Sequence, residues 1–142
     1  MMQVIDGARV IDGANNASDI PLATYPADTS TVSAAINMQE PGHGELIVNG
    51  ITGQHFDDGA AIFTVEESNE ENANFTGIPG GSAHAGQSNS SVWIAVDWIN
   101  PERKKFARIK ADTADGDVVL SAVSLRVRPH QEIAADAGIV LA

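Results

Sequence analysis

The chain has 142 residues, which fits one domain with a single core and needs no covalent staples. It has no cysteine, so disulfides and thiolate metal sites are excluded, and aromatic residues are only 5%, so the core must be built on Val and Ile. The formal net charge of −11 opposes binding to nucleic acid.

In chain order, the first feature is a short repeat. Val4-Ile5-Asp6-Gly7-Ala8 is followed by Val10-Ile11-Asp12-Gly13-Ala14. Each copy is a β-branched pair closed by Asp-Gly, a turn signal. Residues 1–30 therefore read as an extended arm or edge segment. Pro21 and Pro26 bar a regular helix from its second half. The N-terminus lacks the basic and apolar regions of a signal peptide, and no run reaches membrane-span length. Synthesis in the cytoplasm is expected, with no membrane partner.

A sandwich domain is expected over residues 31–128. Val32, Ala34, Ile36 and Met38 alternate with polar or small residues as one face of a half-buried strand. After a turn at residues 40–44 come strands over 45–51 and 59–65. Residues 66–91, rich in Asn, Ser, Gly and Glu, read as one long loop. Val92, Ile94, Val96 and Trp98 then form one strand face, opposite Trp93, Ala95 and Asp97. By parity, one tryptophan belongs to the core and the other to a rim or interface. A basic run follows at residues 104–111, whose core face the pattern leaves open. Asp115-Gly116-Asp117 is a hairpin-type turn. A last long strand covers residues 118–127, with Val119, Val123, Leu125 and Val127 on one face, and Pro129 stops it. Residues 129–142 are an Ala-rich tail. No segment carries a sustained helical stripe. The fold expected is all-β: an antiparallel, jelly-roll-like β-sandwich with extended terminal segments.

No constellation points to catalysis. His43, His55, His84 and His130 are dispersed, without zinc-ligand spacing. Asp57-Asp58 and the acidic run at residues 66–71 do not match a calcium loop. No base or oxyanion elbow accompanies the hydroxyls of residues 88–91. No metal, cofactor or catalytic residue is assigned, and an enzyme is not expected.

Charge, however, is segregated. Residues 1–102 hold fourteen acids against Arg9 alone, while residues 103–142 hold seven basic residues against five acids. The candidate interface comprises Arg103, Lys104, Lys105 and Arg108 on the basic side and Asp57, Asp58, Glu70 and Glu71 on the acidic side, with Trp93 as an apolar contact. The basic strand of one copy would face the acidic region of a neighbour.

The run Phe63-Thr64-Val65-Glu66-Glu67-Ser68, followed by Asn74-Phe75-Thr76-Gly77-Ile78, resembles small structural proteins of tailed bacteriophages. In these a strand ending in "-v-E-S-" precedes a polar turn and "-F-t-". Lys105-Phe106-Ala107-Arg108-Ile109 resembles their "-R-Y-v-R-" strand. The resemblance spans roughly residues 31–128 and rests on loose, structural motifs. It implies a capsid decoration (cement) protein on the virion surface that binds the major capsid protein and stabilises the shell. Such proteins commonly form homotrimers at three-fold positions. The alternative is a tail or head-fibre component in which Trp93, Trp98 and the Asn/Ser-rich loop bind a receptor or glycan.

Overall fold

The computed structural model describes residues 4–5, 8–10, 19–129 and 139–141. Among them are twelve strands: β1 (Val4–Ile5), β2 (Ala8–Val10), β3 (Ala23–Tyr25), β4 (Ser30–Val32), β5 (Ile36–Asn37), β6 (Glu45–His55), β7 (Ala60–Ser68), β8 (Thr76–Ala85), β9 (Ser91–Asp97), β10 (Phe106–Ala114), β11 (Val118–Arg128) and β12 (Ile139–Leu141). They form two sheets, as the turn spacing predicts for an antiparallel sandwich. The first has the order β1-β2-β11-β6-β9-β12, with β3 also pairing β11. The second has the order β4-β10-β7-β8, with β5 also pairing β10. All pairs are antiparallel except β12 on β9.

The core is aliphatic with one large ring at its centre. Leu46 and Val48 of β6, Ile94 and Val96 of β9 and Val123 and Leu125 of β11 meet Phe63 and Val65 of β7 and Ile109 of β10. Each fully buried Val, Ile or Leu contributes about 1.5–3 kcal/mol relative to exposure. Phe63 is the bulkiest of the fully buried side chains. It fits because β6 carries Gly50 opposite: a methyl there would lie 2.8 Å from the ring. The open face of β10 is now assigned. Ala107, Ile109 and Ala111 point inward, and Phe106, Arg108, Lys110 and Asp112 outward.

Several boundaries differ from those the sequence suggests. The strand expected over residues 31–38 is broken. Val32 and Ala34 face out, whereas Ile36 and Met38 face in. The phase changes at Ser33, whose hydroxyl accepts the Ile109 amide at 3.0 Å in place of a ladder carbonyl. In β11, register shifts around Leu120 turn Val118 and Leu120 into the core, and leave Val119 only half-buried. The turn at residues 115–117 is no hairpin, because it carries the chain from β10 in one sheet to β11 in the other.

The largest difference concerns residues 66–91. They are not one loop: Glu66, Glu67 and Ser68 finish β7, and the ten-residue β8 pairs with β7 through six residue pairs on either side of a register shift. The sequence of β8, Thr-Gly-Ile-Pro-Gly-Gly-Ser-Ala-His-Ala, has low strand propensity. It is tolerated because β8 is the edge of its sheet, where proline and glycine cost least.

The segments assigned to the arm also reach into the sandwich. Ile20 is fully buried, β3 pairs β11, and β4 begins at Ser30. The described sandwich thus starts before residue 31. Short strands from both termini, β2 and β12, add to the first sheet of the same chain. The Asp6-Gly7 and Asp12-Gly13 turns, His130 and most of the tail lie outside the described residues.

Candidate interaction site

The two ends of the sandwich differ in chemistry. At one end the chain crosses between sheets four times, at β3–β4, β6–β7, β8–β9 and β10–β11. The β6–β7 crossing is a tight turn in which the Gly59 amide donates to the Phe56 carbonyl at 2.8 Å. Its central residues, Asp57 and Asp58, both have left-handed backbone, with φ of 52° and 62°. Asp tolerates that conformation better than most residues. The β10–β11 crossing packs directly on it, with the Phe56 amide donating to the Asp117 carbonyl at 2.8 Å. Asp57 and Asp58 thus sit on a turn whose shape explains them.

The opposite end is formed by the β5–β6 turn, the β7–β8 turn, the β9–β10 loop and Pro129. Backbone bonds fix these pieces to one another. Met38 N donates to Lys105 O at 2.8 Å, Gly44 N to Arg128 O at 3.0 Å, and Trp98 N to Gly44 O at 3.0 Å. Trp98 is buried, and its indole N–H donates to the Lys104 carbonyl at 2.8 Å. A cleft of about 570 Å³ opens here, between Met38, His43, Trp98, Ile99, Arg103 and Lys104. A smaller one of about 320 Å³ lies on the other side of the β9–β10 loop, against Ile78 and Pro79. Asn100 and Arg103 border both.

Beside the cleft runs a network of ion pairs. Arg108 Nε donates to Glu66 Oε1 at 2.8 Å, and Lys110 Nζ lies 3.7 Å from the other Glu66 oxygen. Arg108 also stacks on Phe75, 4.1 Å from the ring centroid. Glu67 accepts the Lys104 amide at 2.8 Å and faces Arg103 Nε at 3.5 Å. Glu66 and Glu67 are both buried, with 6% of their surface exposed. Buried carboxylates persist when paired and hydrogen-bonded, and removing one partner of such a pair is costly. Replacing Glu66 by Gln keeps the shape and removes the charge that Arg108 and Lys110 share. The expected result is a loss of about 1–3 kcal/mol of unfolding free energy in urea titration. A change within error would show that the strip contributes no stability.

Part of the basic side expected at a contact between neighbouring copies already faces carboxylates of its own chain. Arg103 and Arg108 find their carboxylates within one chain, because β7 and β10 are adjacent and set Glu66 opposite Arg108. Lys105 lies 5.3 Å from the Phe106 ring, and its amide donates to Asn69. Nor is the acidic side one surface. Glu70 and Glu71 are exposed on the β7–β8 turn, while Asp57 and Asp58 precede the far end of β7. The nine residues of that strand separate them by about 30 Å. Trp93 is 39% exposed on the outer face of β9, away from Trp98. The two tryptophans thus form no shared platform, and the polar loop meant to join them is largely β8.

Pairing between residues distant in sequence hides the cleft from a reading along the chain. One hydroxyl–imidazole pair was also missed. Thr52 Oγ1 lies 2.9 Å from His55 Nε2, and His55 Nδ1 lies 2.7 Å from the Gly59 carbonyl. Thr52 is 2% exposed and also accepts the Ser90 amide, so the pair ties down the end of β6. Among the described residues, no group of three or more His, Asp or Glu side chains is placed to hold a metal ion.

No protein-family model matches the chain, and neither does any curated protein. Among solved structures, the chain is similar to TmCBM61, described in complex with β-1,4-galactotriose. Identity is 13%, coverage is 88% of this chain and 86% of that one, and the TM-score is 0.37.

Proposed function

We propose that the chain is a structural virion protein that binds the outer surface of a tailed-phage capsid, against the major capsid protein, and stabilises the shell. The observation that carries this reading is the placement of the residues on which the phage resemblance rests. They form one unit of the second sheet. Phe63, Val65 and Ile109 fill the core, Glu66 pairs with Arg108 across β7 and β10, and Phe75 stacks on Arg108. The motif thus has a structural reason to exist, which suits a scaffold more than an active centre.

A shell-binding protein needs rigidity and a docking face. The cleft end supplies both: a bonded frame around Trp98, and Ile99 beside it at 60% exposure. Binding that favours the intact shell over separated subunits stabilises the shell by mass action. Many equivalent sites give each bound copy a small share of a large total. Trimeric assembly comes with the resemblance. With Arg108 hydrogen-bonded to Glu66 of its own chain, an apolar centre is expected to hold such a trimer more than the basic strand.

Mass spectrometry of purified particles separated into heads and tails tests the assignment. The chain is expected in the head fraction at a copy number scaling with the major capsid protein. Recovery in tails alone would overturn it.

A further inference from the structure

Among the described residues, three arginines are side-chain ion-paired to buried carboxylates, and one of them is bound differently. Arg108 and Arg128 each hydrogen-bond a carboxylate through Nε, at 2.8 and 2.6 Å. Arg103 Nε lies 3.5 Å from Glu67 and makes no hydrogen bond, although it is buried. A buried donor left unmatched costs about 1–3 kcal/mol, and in a native protein it calls for an explanation. Arg103 is also the one of the three that borders the large cleft.

We infer that this cleft is a socket for an extended segment of a partner protein that presents one carboxylate beside one apolar side chain. The carboxylate pairs with the Arg103 guanidinium, with Lys104 at its flank. The apolar side chain lies against Met38, Trp98 and Ile99. The volume of about 570 Å³ falls within the range of roughly 300–1,000 Å³ usual for small-ligand sites. Charge selects the occupant. Arg103 and Lys104 border the cleft against Glu40, which faces His43 Nε2 at 3.7 Å. Asp97 and Glu102 line the smaller cleft with Arg103, so an incoming carboxylate meets more acidic lining there than in the larger one. In a chain of net charge −11, a cleft bordered by two cationic side chains beside an exposed Ile99 is a local exception. Interface hot spots are enriched in Trp and Arg, the residue types that Trp98 and Arg103 bring together here. The choice of a protein segment rests on the shell-binding reading.

The test needs no virion, so its failure is distinct from failure of that reading. The full chain, labelled with ¹⁵N, is titrated with the peptide acetyl-Ala-Leu-Glu-Ala-amide and with its Gln counterpart. The Glu peptide is expected to shift the Trp98 indole and Arg103 Nε–H signals saturably, while the Trp93 indole stays still. The Gln peptide should bind at least about tenfold more weakly, as loss of a charge-assisted bond requires. Arg103→Gln should abolish the difference between the peptides. Lys104→Gln should reduce it, and Ile99→Asp, at an exposed side chain, should weaken both. Equal shifts from the two peptides, equal movement of Trp93 and Trp98, or no shift at millimolar peptide would overturn the proposal.

Discussion

Gly116→Val should prevent folding or lower the melting temperature by more than about 10 °C. A Cβ at Gly116 would lie 1.9 Å from the Phe56 carbonyl oxygen and 2.9 Å from the Asp57 oxygen and the Gly59 nitrogen. All three are backbone atoms, so no side chain can yield. The β6–β7 and β10–β11 crossings would have to separate, breaking the bond from Phe56 N to Asp117 O. Losses above about 4 kcal/mol arise from few mechanisms, and a backbone clash at a crossing is one. Gly42→Ala is the control. Gly42 has a φ of 85° and open space around it, so only conformational strain of about 1 kcal/mol is added. Equal melting of the two variants would show that the crossings are not rigidly joined.

Phe63→Ala should cost about 3–5 kcal/mol, the range for removing a buried phenyl ring. Phe63 is fully buried between the sheets, and a cavity there has few ways to collapse against paired strands. Its fit against Gly50 gives a sharper form of the same prediction. Gly50→Ala alone forces a methyl to 2.8 Å from the ring and should destabilise by about 1–3 kcal/mol. In a Phe63→Leu background the same methyl has room, so the two changes should be non-additive in urea titration. Simple additivity would contradict the contact.

These two sites also mark how far the sequence can be read. The fold class was legible because several alternating runs are punctuated by turns, although the core face of β10 and the phase of β11 were not. Parity alone put the two tryptophans on opposite faces, and the structure puts Trp98 in the core and Trp93 on the surface. Gly50 was readable as punctuation but not as the seat of Phe63, because that contact joins strands in different sheets. β8 was illegible for a different reason. An edge strand next to a strong partner needs little propensity of its own, so Pro79 and its neighbouring glycines looked like a loop. The charge segregation was legible, but not that part of it pairs within one chain. A basic segment and an acidic one, separated by some forty residues in sequence, are neighbours through the β7–β10 pairing, so their attraction holds one chain together. The cleft could not be seen at all, since its frame comes from backbone bonds among three separate segments.

The central claim is stabilisation of a capsid, and heating heads that lack the protein tests it most directly. Heads are prepared without this chain, the purified protein is added back to saturation, and the temperature of DNA release is recorded. The account predicts that added protein raises the release temperature, with the increase saturating as the sites fill. An unchanged release temperature at saturating protein would contradict it.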